Sequence, residues 1–359
     1  MTLFKLGNTP MNYAWGDSEL LADLLGIETP NHPIAEQWFG THKTAPSKVL
    51  DEANSNLDSR YGELGYLVKF LAAAKPLSIQ AHPSKSHAQM QFAKGHKSYS
   101  DDNHKPELIV AITEFRALCG FRPKTELAAD LALLAEAAES FAGLRDAFEA
   151  AGYQAAMQWI YEAHPDLVLQ LVAHATVLGR KRARLLEQLF SEHGADPGLL
   201  VSVLMNHVTL EPNQALFLPA GNIHAYLSGL GVEVMASSDN VLRGGLTNKH
   251  IDVRELLKVL EYQPLEQPLI QVKQLLNGLW EYPTSAADFR VYRVEPSASN
   301  LLIDLELPNT AIALCTQGEI TLSTSKSETM TLKRGEAAFM ADSRLFSVTG
   351  SGTGFIALG

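Results

Sequence analysis

Four stretches of this chain gather side chains able to bind a metal ion, move a proton or grip an anion. In LSIQAHP, extended backbone alternates its side chains, so Ser78, Gln80 and His82 share one face and Leu77, Ile79 and Ala81 the other. In DDNHKPEL, Pro106 suits the start or edge of a strand and leads into Leu108, Ile109 and Val110, which sets Glu107 at the strand mouth beside His104 and Lys105. In PAGNIHAY, Pro219 and Gly221 make a turn that directs one imidazole, His224, from the end of ALFL. The fourth, SSDNVLRGGLTNKH, holds Asp239, Arg243 and Lys249, with Gly244 and Gly245 letting the backbone approach a ligand closely. Arg and Lys suit a phosphorylated substrate, because guanidinium grips phosphate oxygens as a fork and ammonium adds a point charge. Taken singly, each stretch is also what a solvent-facing strand, a mixed-charge turn or a salt-bridged loop looks like.

The P-x-G-x-x-H spacing of Pro219, Gly221 and His224 resembles the second short signature of the cupin jelly roll. Cupins point imidazole and carboxylate groups into a barrel, which makes Gln80, His82, Glu107 and His224 a candidate set of four metal ligands. One carboxylate with two neutral imidazoles and an amide leaves a divalent ion with net charge near +1, suited to Lewis-acid work at a position open to water or substrate. Mixed nitrogen and oxygen ligation fits zinc, and ligand type alone leaves iron, cobalt and manganese open. The segment LEPNQALFLPAGNIH (residues 210–224) also lies without gaps over LKRGEAAFMADSRLF (residues 332–346), as two copies of one β unit would. Phe346 stands opposite His224 in that overlay, and no histidine follows His250, so the second copy is expected to lack metal chemistry.

Positioning these residues requires sheets. Runs such as YLVKFLAAA and ELIVAITEFRAL read as strands, and residues 1–122 are expected to be mostly β. From Pro123 to about Leu200, Ala, Leu and Glu recur at three-to-four spacing, which predicts an insertion of several helices. Strands and turns return over residues 201–264, with one helix at DVRELLKVLEY, and a proline-marked linker near YQPLEQP opens an all-β tail, 265–359. The expected fold is mainly β: two cupin-like jelly-roll domains, the first (1–122 plus 201–264) catalytic and interrupted by a helical insertion (123–200), the second without a metal site.

Composition narrows the function. The chain has 359 residues, 46% hydrophobic and 19% charged, enough for about two globular domains. Its formal charge of −11 lacks the footprint of a nucleic-acid or anionic-membrane binder. There is no signal-peptide core and no apolar run of membrane-span length, so a cytoplasmic protein is expected. Two cysteines, Cys119 and Cys315, exclude a disulfide framework and any cysteine-based zinc motif. No obligatory protein partner is inferred.

Read together, the motifs YAWG, AEQWFGTH, SIQAHP, NHKPEL, PAGNIHAYLSG and VMASSDNVLRGGLTNK resemble, in order and over nearly the full chain, the type I mannose-6-phosphate isomerase family. The resemblance implies one zinc ion per chain on Gln80, His82, Glu107 and His224, a catalytic arginine at Arg243, and substrate contacts at Ser78, Lys105 and Lys249. It implies reversible conversion of mannose 6-phosphate to fructose 6-phosphate. Such a reaction exchanges a proton between C1 and C2 through an enediol, and needs a base, a cation near the developing oxyanion and a grip on the phosphate. His104, Lys105, Asp239 and a metal-bound water are all eligible to move the proton, and Asp239 and His104 join the expected substrate-contacting set. Two other readings are an iron-dependent cupin oxygenase, disfavoured by Gln80 in place of a histidine, and a non-catalytic sugar-binding cupin, disfavoured by the intact first ligand set.

Overall fold

The run around Lys69 forms the strand Tyr66–Ala73, and every residue in it is buried. Both faces are covered because two different cores lie on them. Tyr66, Val68, Phe70 and Ala72 pack in one core with Ile312, Leu314, Phe339 and Phe355. Leu71 and Ala73 pack in another with Ile109, Phe115, Leu216 and Tyr226. The first core is a sheet-on-sheet interface with the C-terminal part of the chain, and the second is the interior of a barrel. The structure, a computed structural model, describes residues 2–50, 55–163, 165–297, 303–307 and 309–359.

One long strand organises the barrel. The C-terminal part of His224–Ala236 pairs antiparallel with Tyr66–Ala73 and with Glu107–Ala111, whereas its first residues pair with Ile79–Ala81 and Phe115–Phe121. It therefore belongs to both walls, with a register shift between Tyr226 and Ser228 where it changes partners. Ala215–Leu218 extends the sheet beside Glu107–Ala111, and Leu242–Gly245 extends the other wall beside Ile79–Ala81.

The helical segment does form. Helices Lys124–Ala137, Ala142–Glu162 (broken at Ala151 and Gly152), Asp166–His174, Arg180–His193 and Gly198–Val203 follow one another. Their apolar stripes, including Leu131, Leu134, Ile160 and Leu189, share a core with Ile79, Ala81, Leu118, Ala225 and Leu242. The insertion thus seals the apolar face of the Ile79–Ala81 wall, and alternation leaves Gln80 directed to the barrel side. Among the described residues, no helix is long and apolar enough to cross a membrane.

The C-terminal strands make a second barrel, from a nine-stranded sheet and a four-stranded one. Its large sheet includes the first strand of the chain, Leu3–Gly7, paired with Ala337–Ala341. Phe346 is buried there among Ile320, Leu322, Leu332 and Val348. Strands Ala215–Leu218 and Ala337–Ala341 begin at positions aligned in the 210–224 and 332–346 overlay, as expected of two copies of one unit. The molecule is mainly β, with two cupin-like jelly rolls and a helical insertion in the first.

Candidate active site and metal centre

His82, Glu107 and His224 meet in the first barrel, each at most 2% exposed. His82 Nε2 lies 3.3 Å from Glu107 Oε1, and His224 Nε2 lies 3.2 Å from Glu107 Oε2. Zinc-like arms of ~2.0–2.2 Å place neighbouring ligand atoms of a tetrahedron roughly 3.3–3.6 Å apart, so these separations are those of a metal cage. His82 Nε2 and Glu107 Oε2 are buried without a hydrogen-bond partner, an arrangement that is costly unless a cation satisfies both. The tautomers are set from behind. His82 Nδ1 donates to Asn240 O at 2.7 Å and His224 Nδ1 donates to Asn222 O at 3.0 Å, which leaves each Nε2 lone pair facing Glu107. Among the described residues this is the one group of His, Cys, Asp and Glu side chains disposed to hold a metal ion.

Local sequence explains the convergence. Gly221, at φ 78, adopts a turn that a side chain would strain, and a Cβ there would come 2.9 Å from Val259 O. The Gly221 amide donates to His82 O at 2.8 Å, so the turn that presents His224 also holds the backbone of His82. Asn240 is buried, and its side-chain NH2 donates to Asp101 O and Asn103 O, which ties the SSDN loop to the segment leading into Lys105 and Glu107.

Strand register then sets a row across one wall. Cys119, His224, Gln80 and Arg243 lie directly opposite one another on four neighbouring strands. The Gln80 amide is 3.3 Å from His224 Nε2, making Gln80 the fourth member of the cluster. Gln80 and Arg243 also line a cavity of about 440 Å³ with Ser78 and Lys249, so Gln80 touches both His224 of the cluster and that cavity. Arg243 and Lys249 border a second cavity of about 390 Å³ with Asp239. Burial pushes the Arg243 guanidinium below its ordinary pKa, and among the described residues no hydrogen bond or ion pair engages it. A desolvated cation without a partner is one prepared for an anionic ligand.

Of the remaining expected residues, Lys105 is buried against the cluster, and Asp239 and His104 are partly buried. Lys105 Nζ is 3.4 Å from Glu107 Oε1. Burial works to raise the Glu107 pKa, but His82 and the Lys105 ammonium outweigh it and hold the carboxyl well below the usual range. His82 is itself pushed down, chiefly by burial, which favours the neutral imidazole that a metal ligand needs. Asp239 accepts from His42 Nε2 at 3.0 Å, and that hydrogen bond lowers its pKa. His104 turns toward Asp288 of the C-terminal part, with Nε2 3.0 Å from Oδ2.

Sequence reading missed a buried charged layer beside the cluster. Lys69 Nζ lies 3.0 Å from Glu233 Oε2 and 3.6 Å from Glu36 Oε1, with Tyr226 Oη donating to Glu233 Oε1 at 2.8 Å. Burial alone would lower the Lys69 pKa, but Glu233 and Glu36 raise it above the ordinary lysine value. Lys69 and Glu233 are opposite residues of paired strands, each a lone charge inside an apolar run. A lone charge in a strand otherwise buried was the available signal.

Comparison with known proteins agrees with this geometry. Residues 3–124 match the model of the phosphomannose isomerase type I catalytic domain. The chain is 35% identical to a mannose-6-phosphate isomerase of Escherichia coli K12, over 94% of each chain. A mutant phosphomannose isomerase from Salmonella typhimurium superposes with a TM-score of 0.91 at 30% identity, covering 100% of both chains. A mannose 6-phosphate isomerase solved with zinc and yttrium superposes at 0.89 and 30% identity, again over 100% of both chains. A mainly β double barrel with a buried His–Glu–His cluster able to hold a metal ion, matching phosphomannose isomerases over its whole length, is a cupin-type isomerase. The chain belongs to the type I mannose-6-phosphate isomerase family.

Proposed function

We propose that this enzyme interconverts mannose 6-phosphate and fructose 6-phosphate in the cytoplasm, through an enediol, with one zinc ion on Gln80, His82, Glu107 and His224. The observation that carries the reading is the preset His82–Glu107–His224 cluster, touched by Gln80, which also lines a cavity with Arg243. Zinc is supported by the donor set and by the zinc-containing relative. When bound, the ion supplies Lewis-acid stabilisation of charge developing on the sugar oxygens.

The chain's own groups divide the remaining work. Arg243 takes negative charge that appears as a proton leaves the carbon next to the carbonyl, and Lys249 with Ser78 holds the phosphate. Lys105, beside Glu107, acts as an acid near the reacting oxygens and keeps the ligand carboxylate ionised. Asp239 orients sugar hydroxyls from the neighbouring cavity wall. His104 does so through Nδ1, with its other nitrogen held by Asp288. The proton removed from C2 is returned at C1 while the hydroxyl protons exchange, so no external reductant or oxidant enters. We assign catalysis to residues 1–122 with 201–264, a supporting role to the insertion 123–200, and a structural role to 265–359, with Leu3–Gly7 lent to the C-terminal sheet.

A coupled assay for fructose 6-phosphate tests the reading. Chelation should abolish turnover and stoichiometric zinc should restore it. Full activity in metal-free protein would remove the metal from the mechanism, and a zinc-loaded chain that binds sugar phosphate without turnover would favour the non-catalytic alternative.

A further inference from the structure

Arg243 has no side-chain partner among the described residues, so its position depends on its backbone. That backbone has little sheet to rest on. Among the described residues Leu242–Gly245 pairs only with Ile79–Ala81, and the chain then leaves the sheet through Gly245 at φ 138 and Leu246 at φ 53. Leu246 is not a glycine, so the turn needs outside support to persist.

The support comes from the helical insertion. Asp196 Oδ1 accepts from Leu246 N at 2.6 Å and from Gly198 N at 2.7 Å, and its Oδ2 accepts from Thr247 N at 3.2 Å. Tyr161 Oη donates to Gly244 O at 2.8 Å. The two backbones also touch: a Cβ on Gly245 would lie 2.4 Å from Gly198 Cα, and one on Gly198 would lie 2.6 Å from Leu246 N. Two residues of the insertion therefore clamp the segment between Arg243 and Lys249. A carboxylate accepting several backbone amides makes strong charge-assisted bonds. The same insertion lines the cavity with Glu192 and His193, with Glu192 paired to Lys75 at 3.0 Å.

We propose that Asp196, assisted by Tyr161, is a positioning residue that sets Arg243 and Lys249 relative to Gln80 by holding the backbone of residues 244–247. The catalytic meaning of that placement rests on the isomerase reading above. It gives Asp196 and Tyr161 of the insertion a part in the reaction that requires neither to touch substrate.

Crystal structures of full-length, zinc-loaded Asp196→Ala, Asp196→Asn and Tyr161→Phe read the placement directly. Asp196→Ala should displace residues 243–249 by about 1 Å or more, and misplacement on that scale lowers kcat by roughly 10- to 100-fold. KM should rise as well, through Lys249, while zinc content stays at one per chain. Asp196→Asn keeps an amide oxygen for Gly198 and Leu246 and should stay within about fivefold of wild type. Tyr161→Phe removes one hydroxyl and should cost roughly three- to tenfold, which keeps a test in hand if Asp196→Ala does not fold. A merely structural Asp196 would lower the folded fraction and leave kcat per folded molecule and KM unchanged, and that result, or an unmoved segment in the variants, overturns the proposal. A wild-type chain inactive on mannose 6-phosphate would sink the isomerase reading alone, because the crystal structures still decide the placement.

Discussion

Replacing Arg243 with methionine should separate activity from stability. The guanidinium is half-buried, pushed below its ordinary pKa by that burial, and unpartnered among the described residues, so the free protein carries its desolvation cost without an ion pair to offset it. Methionine keeps the apolar stem and removes the charge. Thermal stability should therefore be unchanged or slightly raised, as at other sites where function is held at the expense of stability. Catalysis should respond in the opposite sense. Removing one preorganised donor to a developing oxyanion costs about 10²–10³ in kcat, or ~2.7–4 kcal/mol. Arg243→Lys should recover little, because an ammonium lacks the planar fork and sits at the end of a differently shaped stem. Steady-state kinetics on both variants, with zinc content and melting temperature measured on the same samples, check all three statements. A kcat within about fivefold of wild type, or an activity loss tracking a lower melting temperature, would refute the reasoning that the unpaired cation is kept for the transition state.

Lys249→Ala should act chiefly on KM, since a phosphate contact is made equally in the ground and transition states; a fall in kcat at unchanged KM would reverse the two roles. Lys69→Met should destabilise the protein by ~3–5 kcal/mol, because Glu36 and Glu233 lose their buried counter-charge, and Lys69→Met with Glu233→Gln should recover more than half of that in denaturant titrations. His207 is lowered to about 4 by burial first and then by Arg116, Lys181 and Arg182. A depressed imidazole contributes stability above its unfolded value near 6.5 and loses it as pH falls toward 4, so His207→Gln should flatten the melting-temperature profile across that window. An unchanged slope in the variant would assign the acid sensitivity elsewhere.

The candidate ligands were legible because each sits in a short motif whose local geometry states its direction. Alternation in LSIQAHP placed Gln80 and His82 on one face, Pro106 set Glu107 at a strand start, and the Gly221 turn aimed His224. The helical insertion was legible from its period, and the overlay that set Phe346 opposite His224 picked out a residue that packs in an apolar core. Lys69 and Glu233 were not legible as a pair. Their strands are buried on both faces, so a period of two cannot say which core a residue faces, and only the Tyr66–Ala73 to His224–Ala236 register brings the charges together. The partnership of Leu3–Gly7 with Ala337–Ala341 was equally hidden, because strand pairing across the length of the chain leaves no local pattern. The same holds for Asp196 and Leu246, fifty residues apart. Local motifs decide which groups can do chemistry, whereas the distances between those groups, and what holds them there, follow from how sheets and helices pack once the chain has closed its long loops.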